Sequence, residues 1–259
     1  MRYLLAALKV ELLKLRKSRM IWITAAAFSI APLMGGFFMF VLKNPELAAS
    51  TGLVGAKAQI VGEANWPSFL GLLAQMISIG GILIFGFVTS WVFGREYTDR
   101  TVKDLLALPY PRGIIVIAKY ITVLIANLLL SIHVILVGII LGLIVGLPGW
   151  SSAVVTDGLT VIFIATLLTI ALSTPVAFFA CYGRGYLAPL GFVVLMVVFS
   201  QIIAAAGYGD YFPWAVPALF SGTSGVALTL GWANLTPLLI TSLLGLAGTL
   251  SWWLFADQN

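Results

Sequence analysis

The sequence predicts an all-α polytopic membrane protein with six transmembrane helices, and three observations support this fold class. Of the 259 residues, 61% are hydrophobic and only 9% are charged. Six apolar runs reach the roughly 20 helical residues that crossing a hydrocarbon core of about 30 Å requires. Strand-length segments with strict alternation are missing, which argues against a transmembrane barrel. The predicted spans are 20–42, 69–93, 120–147, 158–182, 186–206 and 235–256, within one domain of residues 1–259.

The basic residues predict that both termini lie in the cytoplasm. Lysine and arginine are retained on the cytoplasmic side when a membrane protein inserts. Twelve of the 14 basic residues fall in the amino-terminal segment, the second inter-helix loop or the fourth, which share one side of a six-span chain. This bias explains the net charge of +5 without nucleic-acid binding. We expect a multi-pass protein of the cell membrane whose cationic face favours anionic lipid headgroups.

Residues 1–19 predict an amphipathic helix that lies in the membrane interface. Lys9, Glu11 and Arg16 fall elsewhere around this helix than its apolar stripe, which comprises Leu4, Leu5, Leu8, Leu12 and Leu15. A basic amphipathic helix directly before a span is suited to the interface, with its cations at the headgroups. The helix either anchors the topology or responds to the motion of a cytoplasmic partner, and these two interpretations are compatible.

Prolines and glycines break the apolar segment 207–234 into pieces that are too short to span a membrane. Such backbone is tolerated at membrane depth where it packs on protein or lines a cavity. We predict one or two short helices folded back into the outer leaflet. A surface loop anchored by Trp214 and Trp232 is the alternative. Pro175 and Pro189 predict kinks in the fourth and fifth spans.

A charged island, residues 94–119, separates the second and third apolar runs. Several of its acidic and basic residues lie four positions apart, which supports a short exposed helix over about 95–108. Pro109 and Pro111 end that helix, since proline lacks an amide donor and disfavours helix in the residue before it. Charge spacing alone fits a solvated connector and a docking surface equally well. The spaced pairs are Glu96 with Arg100, Asp99 with Lys103, and Arg100 with Asp104.

The island resembles the corresponding loop of ABC-2 type transporter permeases. The resemblance rests on the run EYTDRTVKDLLALPYPR from Glu96 to Arg112, followed by Ala118 and Lys119. An acidic residue, a threonine turn with a lysine, an LL-x-x-P-x-x-R run and a later lysine make up the pattern. Arg100 departs from it, because many members carry glycine before the threonine. The layout of spans is similar over essentially the whole chain, and the proline–tryptophan segment is most similar to bacitracin- and lantibiotic-export permeases.

The resemblance implies a permease subunit that moves a hydrophobic or amphiphilic substrate (an antibiotic, a peptide or a lipid) out of the cell. It implies a separate ABC ATPase subunit docked on the 95–108 helix, and a second permease subunit of the same or a related kind. The sequence has no G-x-x-x-x-G-K-[ST] phosphate loop, so we expect no enzymatic activity and no cofactor in this chain, with ATP and Mg²⁺ held by the partner. The implied coupling residues are Glu96, Tyr97, Asp99, Arg100, Thr101, Lys103, Asp104 and, in a second smaller contact, Arg184.

Within the spans, Gly138, Gly142 and Gly146 form two overlapping small-x-x-x-small steps. Such steps let helices approach closely, either within the subunit or between two permease subunits. His133 is the only histidine and lies mid-span, where an ionisable group is a functional hypothesis. We expect neutral His133 to bond a neighbouring helix, with proton coupling or metal ligation as the alternative.

Two other functional classes are weakly supported. An ion-coupled secondary carrier normally needs a carboxylate near the midplane of the membrane, and no predicted span has one in its core. An intramembrane enzyme needs a metal site or a nucleophile–base pair. With one histidine and one cysteine, Cys181, the chain offers neither in a recognisable pattern, and we predict no metal site.

Overall fold

The computed structural model describes residues 2–44, 63–107, 109, 111–223 and 227–256, and the regular structure in these ranges is helical. Leu108 of the predicted island helix, and residues 45–62, 224–226 and 257–259, lie outside the described residues. A short 3₁₀ turn covers Gly209–Tyr211. The described α-helices are α1 (Arg2–Lys17), α2 (Met20–Lys43), α3 (Trp66–Thr98), α4 (Val102–Leu106), α5 (Arg112–Val145), α6 (Ser152–Ala171), α7 (Thr174–Tyr182), α8 (Leu187–Ala205), α9 (Val216–Phe220) and α10 (Trp232–Phe255).

The prediction of six membrane-length helices is confirmed. By length and composition, α2, α3, α5, the α6–α7 segment, α8 and α10 are each long and apolar enough to cross a membrane. The helices α3 and α5 extend beyond their apolar runs, to Thr98 and back to Arg112, and so take in both edges of the charged island.

The bundle has two ends that differ in charge. At one, which we call the basic end, lie α1, the carboxyl ends of α3, α7 and α10 and the amino ends of α2, α5 and α8. The ion pairs that join α1, α3 and α5 lie here. At the opposite end, Lys43 of α2 donates hydrogen bonds to the carbonyls of Val145 and Gly146 at the end of α5.

The helix α3 lies in the middle of the bundle and packs against α2, α5, α6, α7 and α8. Gly138 and Gly142 of α5 face it so closely that an added Cβ would lie 2.5 Å from Leu73 and 2.4 Å from Trp66. The structure therefore places these two glycines in a contact within the chain. Gly146 has a different place, because it adopts a left-handed backbone (φ 66°) and ends α5.

The fourth span is divided in two at Leu172 and Ser173, and Pro175 lies in the first turn of α7. Gly245 of α10 packs against this break, where an added Cβ would lie 2.4 Å from the Pro175 nitrogen. The kink expected at Pro189 is not formed. Pro189 is the third residue of α8, and the first-turn amides of a helix have no intrahelical acceptor to lose.

The segment after α8 folds back into the bundle as two short helical pieces, the 3₁₀ turn and α9. Trp214 and Val216 join a cluster with Leu172 and with Ile82, which is the middle residue of α3. Trp214 is only 7% exposed, so the alternative of a surface loop anchored by Trp214 is wrong. Trp232, in contrast, is 81% exposed at the start of α10.

Candidate functional site at the basic end

The amino-terminal helix α1 packs against the first half of α5, and it turns one acidic residue inward. Glu11 is 5% exposed and lies one turn before Leu15, which is also buried. The sequence-based placement of Glu11 away from the apolar stripe was therefore wrong. Positions 4, 8, 11 and 15 follow a spacing of four, three and four, so Glu11 lies on the buried face of the helix.

Lys119 of α5 is the centre of a buried ion network that this glutamate joins. Its side chain is completely buried. The Nζ atom donates to Oε2 of Glu11 at 3.1 Å, to Oε1 of Glu96 at 3.1 Å and to the carbonyl of Val92 at 3.0 Å. The three donors of an ammonium group thus all have acceptors. One side chain ties α1, α3 and α5 together.

A second lysine completes the network from the side of α1. Lys14 Nζ lies 2.8 Å from Glu96 Oε1 and 3.1 Å from Glu11 Oε1. The network therefore balances two carboxylates, Glu11 and Glu96, with two ammonium groups, and Arg95 approaches Glu96 at 3.4 Å. Buried ions are tolerated when they are paired and hydrogen-bonded, and removing one partner leaves an uncompensated charge.

At the end of α3, the threonine of the island bonds to its acidic residue. The Thr101 amide donates to the Glu96 carbonyl at 2.9 Å, and the Arg100 amide donates to the Tyr97 carbonyl at 3.2 Å. This is the Schellman pattern of helix ends. The Thr101 hydroxyl also donates to Glu96 Oε2 at 2.6 Å. Thr101 therefore fixes both the backbone and the carboxylate of Glu96.

Arg100 occupies the left-handed position of this helix end, with φ 59°. Glycine has no steric penalty there, whereas other residues do. Arg100 therefore forms the same turn that a glycine would form at this position, but with backbone strain. The chain reverses at Arg100, and the short helix α4 follows.

The predicted continuous helix over 95–108 is therefore wrong. The island is instead the end of α3, a turn and α4. Within the described residues, none of the expected pairs four positions apart is made, because Glu96 bonds to Lys14 and Lys119 and Arg100 leaves the helical conformation. Glu96, one of the implied coupling residues, makes its ion pairs inside the chain.

Four charged residues at the turn after α3 and on α4 face outward. Asp99, Arg100, Lys103 and Asp104 are all exposed. Beside them, α1, the end of α3 and α4 enclose a cavity of about 470 Å³. Its apolar lining residues are Val10 and Leu105, and its remaining lining residues are Lys14, Arg95, Glu96, Asp99, Thr101 and Asp104.

The turn at Arg184 lies directly beside this surface. Gly94 of α3 packs against Gly185, where an added Cβ would lie 2.8 Å from the Gly185 carbonyl oxygen. Arg184 is exposed and left-handed (φ 50°), in the same Schellman pattern as Arg100. Tyr97 is half-buried and packs on the core. The structure therefore brings together the two contacts that were expected from separate loops.

His133 lies far from this site along α5. His133 Nε2 lies 2.7 Å from the Ser29 hydroxyl, which also bonds to the Ala25 carbonyl. We assign the proton to Nε2, because the serine has only one hydrogen to donate. Among the residues that the structure describes, no group of three or more histidine, cysteine, aspartate and glutamate side chains could hold a metal ion.

Comparison with known proteins identifies the family. A family model described as ABC-2 family transporter protein matches residues 7–200, about three quarters of the chain. The chain belongs to the ABC-2 transporter family. The bacitracin transport permease protein BCRB of Bacillus licheniformis is 30% identical over 144 residues, which cover 55% of this chain and 69% of the relative. This ABC-2 protein is a multi-pass protein of the cell membrane and a component of a transporter.

Sequence reasoning located part of the site of this ABC-2 protein and missed the rest. Glu96, Thr101 and Lys119 were recognised as a pattern, but the pattern does not state that they contact one another. Glu11 and Lys14 were missed as members of the network. The sequence feature that could have revealed Glu11 was a single acidic residue on the leucine face of an otherwise basic helix.

Proposed function

We propose that this chain is the membrane-spanning permease subunit of an ATP-driven exporter, and that a separate ATPase subunit docks at the basic end. Membership of the ABC-2 family supports the assignment of this chain to ATP-driven transporters. The docking site is proposed because the island has two parts. Buried ions fix the turn at Arg100, and four charged side chains at this turn and on α4 point outward. Exposed charges on a rigid turn suit a partner surface, where complementary charge sets register and partner choice.

The ion network suggests how force from the ATPase would reach the membrane. Lys119 joins α1, α3 and α5, so a push on the turn at Arg100 moves three helices together. With 33 and 34 residues, α3 and α5 are each roughly 50 Å long at a rise of about 1.5 Å per residue. They run the full depth of the bundle. We infer that α1 lies in the inner interface and moves with the docked ATPase, since both lysines and both glutamates hold it to α3 and α5.

The proposed topology places the basic end, and both termini, in the cytoplasm. The bias of lysine and arginine supports this orientation. Lys103→Cys gives a direct test, because the one native cysteine, Cys181, is buried. We expect a membrane-impermeant maleimide to label Cys at this position in inside-out vesicles and not in intact cells. Labelling only in intact cells would overturn the orientation.

The proposed cargo is hydrophobic or amphiphilic. The apolar spans suit such a substrate, and the relative named for bacitracin transport supports an antibiotic as its class. We further propose a complex with two permease subunits, identical or related, surrounded by membrane lipid. ATP-dependent efflux in vesicles that contain this chain and its ATPase would separate an exporter from an ion-coupled carrier, which would transport without ATP.

Charge reversal at exposed positions tests the docking site. In Asp99→Lys with Asp104→Lys, we expect co-purification with the ATPase to be lost while the free energy of unfolding is unchanged, because neither residue belongs to the buried network. The matched control is Asp157→Lys with Asp210→Lys, which reverses two exposed charges toward the opposite end. Retention of the ATPase by the first variant, or its loss from both, would contradict the proposed site.

A further inference from the structure

An apolar cavity of about 340 Å³ lies on the flank of the bundle, away from the ion network. Its walls come from α7, α8, α10 and the tip of the segment that folds back after α8. We call it the aromatic cavity, because four of its lining side chains are rings. Its lining residues include Phe178, Phe179, Phe192, Trp214, Gly245 and Gly248.

The walls of the aromatic cavity are held in place by specific contacts. Phe179 and Phe192 are stacked, with ring centroids 4.2 Å apart, and Trp214 meets Phe192 edge-on at 5.6 Å. The close approach of Gly245 to Pro175 fixes the position of α10 relative to α7. Gly248 lets α10 approach Phe178 closely, since an added Cβ would lie only 3.1 Å from that ring. The cavity therefore results from the sequence and not from loose packing.

The position of the aromatic cavity determines what can reach it. Phe179 is three residues from the end of α7, and Phe192 is the sixth residue of α8, so both lie near the basic end. Trp214 belongs to a segment that enters from the opposite end, and Val216 packs beside it against Leu172. A solute would enter from the side, in the half of the membrane nearer the basic end.

The chemistry of the lining selects an uncharged, ring-bearing group. No ionisable side chain lines the cavity, and the hydroxyl of Thr241 in its wall already donates to the Pro237 carbonyl. Small-molecule sites occupy roughly 300–1,000 Å³ and are lined by apolar and aromatic side chains. Lipid tails are as apolar as leucine, so an acyl chain gains no hydrophobic free energy on leaving the bilayer for this cavity. A ring gains oriented contacts with the four aromatic side chains that an acyl chain does not.

We propose that the aromatic cavity binds the ring-bearing apolar part of an amphiphilic substrate in the half of the membrane nearer the basic end. This inference rests on the proposed function and names the class of ligand and the place where it is held. The transported molecule would leave the bilayer sideways into the cavity while its polar part remains at the interface near the basic end.

Binding of a brominated naphthyl detergent to the full chain in lipid nanodiscs tests this proposal without the ATPase. Bromine quenches tryptophan fluorescence on contact, and the difference between the native chain and Trp214→Phe isolates the signal of Trp214. In Gly248→Leu, which fills the cavity, we expect affinity to fall by about tenfold or more. Gly191→Leu is the matched control, because an added Cβ at Gly191 has no atom within 4 Å. It should bind like the native chain.

A second variant guards against a folding defect in Gly248→Leu. Phe192→Leu removes the stacked ring without filling the space, and we expect it to weaken naphthyl binding several-fold while the chain keeps a cooperative unfolding transition. Unaltered naphthyl affinity in both variants would overturn the proposal. So would equal quenching of Trp214 by lipids with brominated acyl chains, because the cavity would then be an ordinary lipid contact. Either result would leave the docking of the ATPase untouched.

Discussion

Two lysines join helices at the two ends of the bundle, and they do so in opposite environments. Lys119 at the basic end is fully buried, and two of its three acceptors are carboxylates from other helices. Lys43 at the opposite end makes exposed hydrogen bonds to two carbonyls at the end of α5. An exposed cation at a helix carboxyl end contributes little to the free energy of unfolding and can be replaced. A buried ion is different, because removing one of its partners is strongly destabilising. The basic end is thus organised by charge.

The ends of the helices differ in the same way. At the opposite end, α5 and α8 finish with Gly146 and Gly207 in left-handed conformations, with φ of 66° and 85°. At the basic end, α3 and α7 finish with Arg100 and Arg184 in equivalent positions. Glycine satisfies the geometry without strain, and arginine satisfies it with strain. Strained residues concentrate where function requires their side chains. The basic end thus retains positive charge at some cost in stability.

Removal of the buried ammonium gives the largest expected effect. Lys119→Met leaves Glu11 and Glu96 without the buried one of their two shared cations, and we expect the free energy of unfolding to fall by about 3–5 kcal/mol. Chemical denaturation in nanodiscs measures this change. Lys103→Met is the control, because Lys103 is exposed and outside the network. Equal stability of the two variants would show that the network does not hold the basic end together.

A methyl group added at the opposite end tests whether close packing, and not ion pairing, stabilises that end. Gly142→Ala places a Cβ 2.4 Å from the buried ring of Trp66, so we expect a loss of about 1–3 kcal/mol from overpacking. Gly71→Ala, in open space on α3, should be neutral or slightly stabilising. The same denaturation assay compares them. A harmless Gly142→Ala would mean that Trp66 can move and that this contact is loose.

Exchange of the left-handed residues should change stability with opposite signs at the two ends. Arg100→Gly relieves strain and should raise the free energy of unfolding by about 0.5–1 kcal/mol, after the entropy that glycine adds to the unfolded chain. Gly146→Ala should lower it by a similar amount for the same reason. If the stabilised Arg100→Gly variant also loses the ATPase, the arginine is retained for docking. A lower stability of Arg100→Gly would contradict the account of strain.

Removal of the exposed lysine gives the smallest expected effect. Lys43→Met deletes two hydrogen bonds at the carboxyl end of α5, and we expect a loss of about 0.3–1 kcal/mol. Chemical denaturation of Lys43→Met and Lys119→Met in the same assay compares the two ends directly. A loss as large as that of Lys119→Met would show that both ends depend equally on their lysine.

Long apolar runs were sufficient to predict the spans, because each helix must satisfy its own backbone in a membrane whatever its neighbours are. The broken segment after α8 was also predictable, since Pro213 and Pro217 prevent a continuous helix. The end of α3 was not predicted. A helix over 95–108 satisfied the local charge spacing, but the backbone at Arg100 follows from the bonds between Thr101 and Glu96 and from their burial.

The sequence by itself determined the six spans, the segregation of basic residues and the pattern of Glu96, Thr101 and Lys119. Only the tertiary structure decided that Glu11 and Glu96 turn inward to the same lysine, and that the Arg184 turn lies beside them. Periodicity and charge spacing report the neighbours of a residue on its own helix. Which charges are buried depends on contacts between α1, α3 and α5, and those contacts join residues that are far apart along the chain.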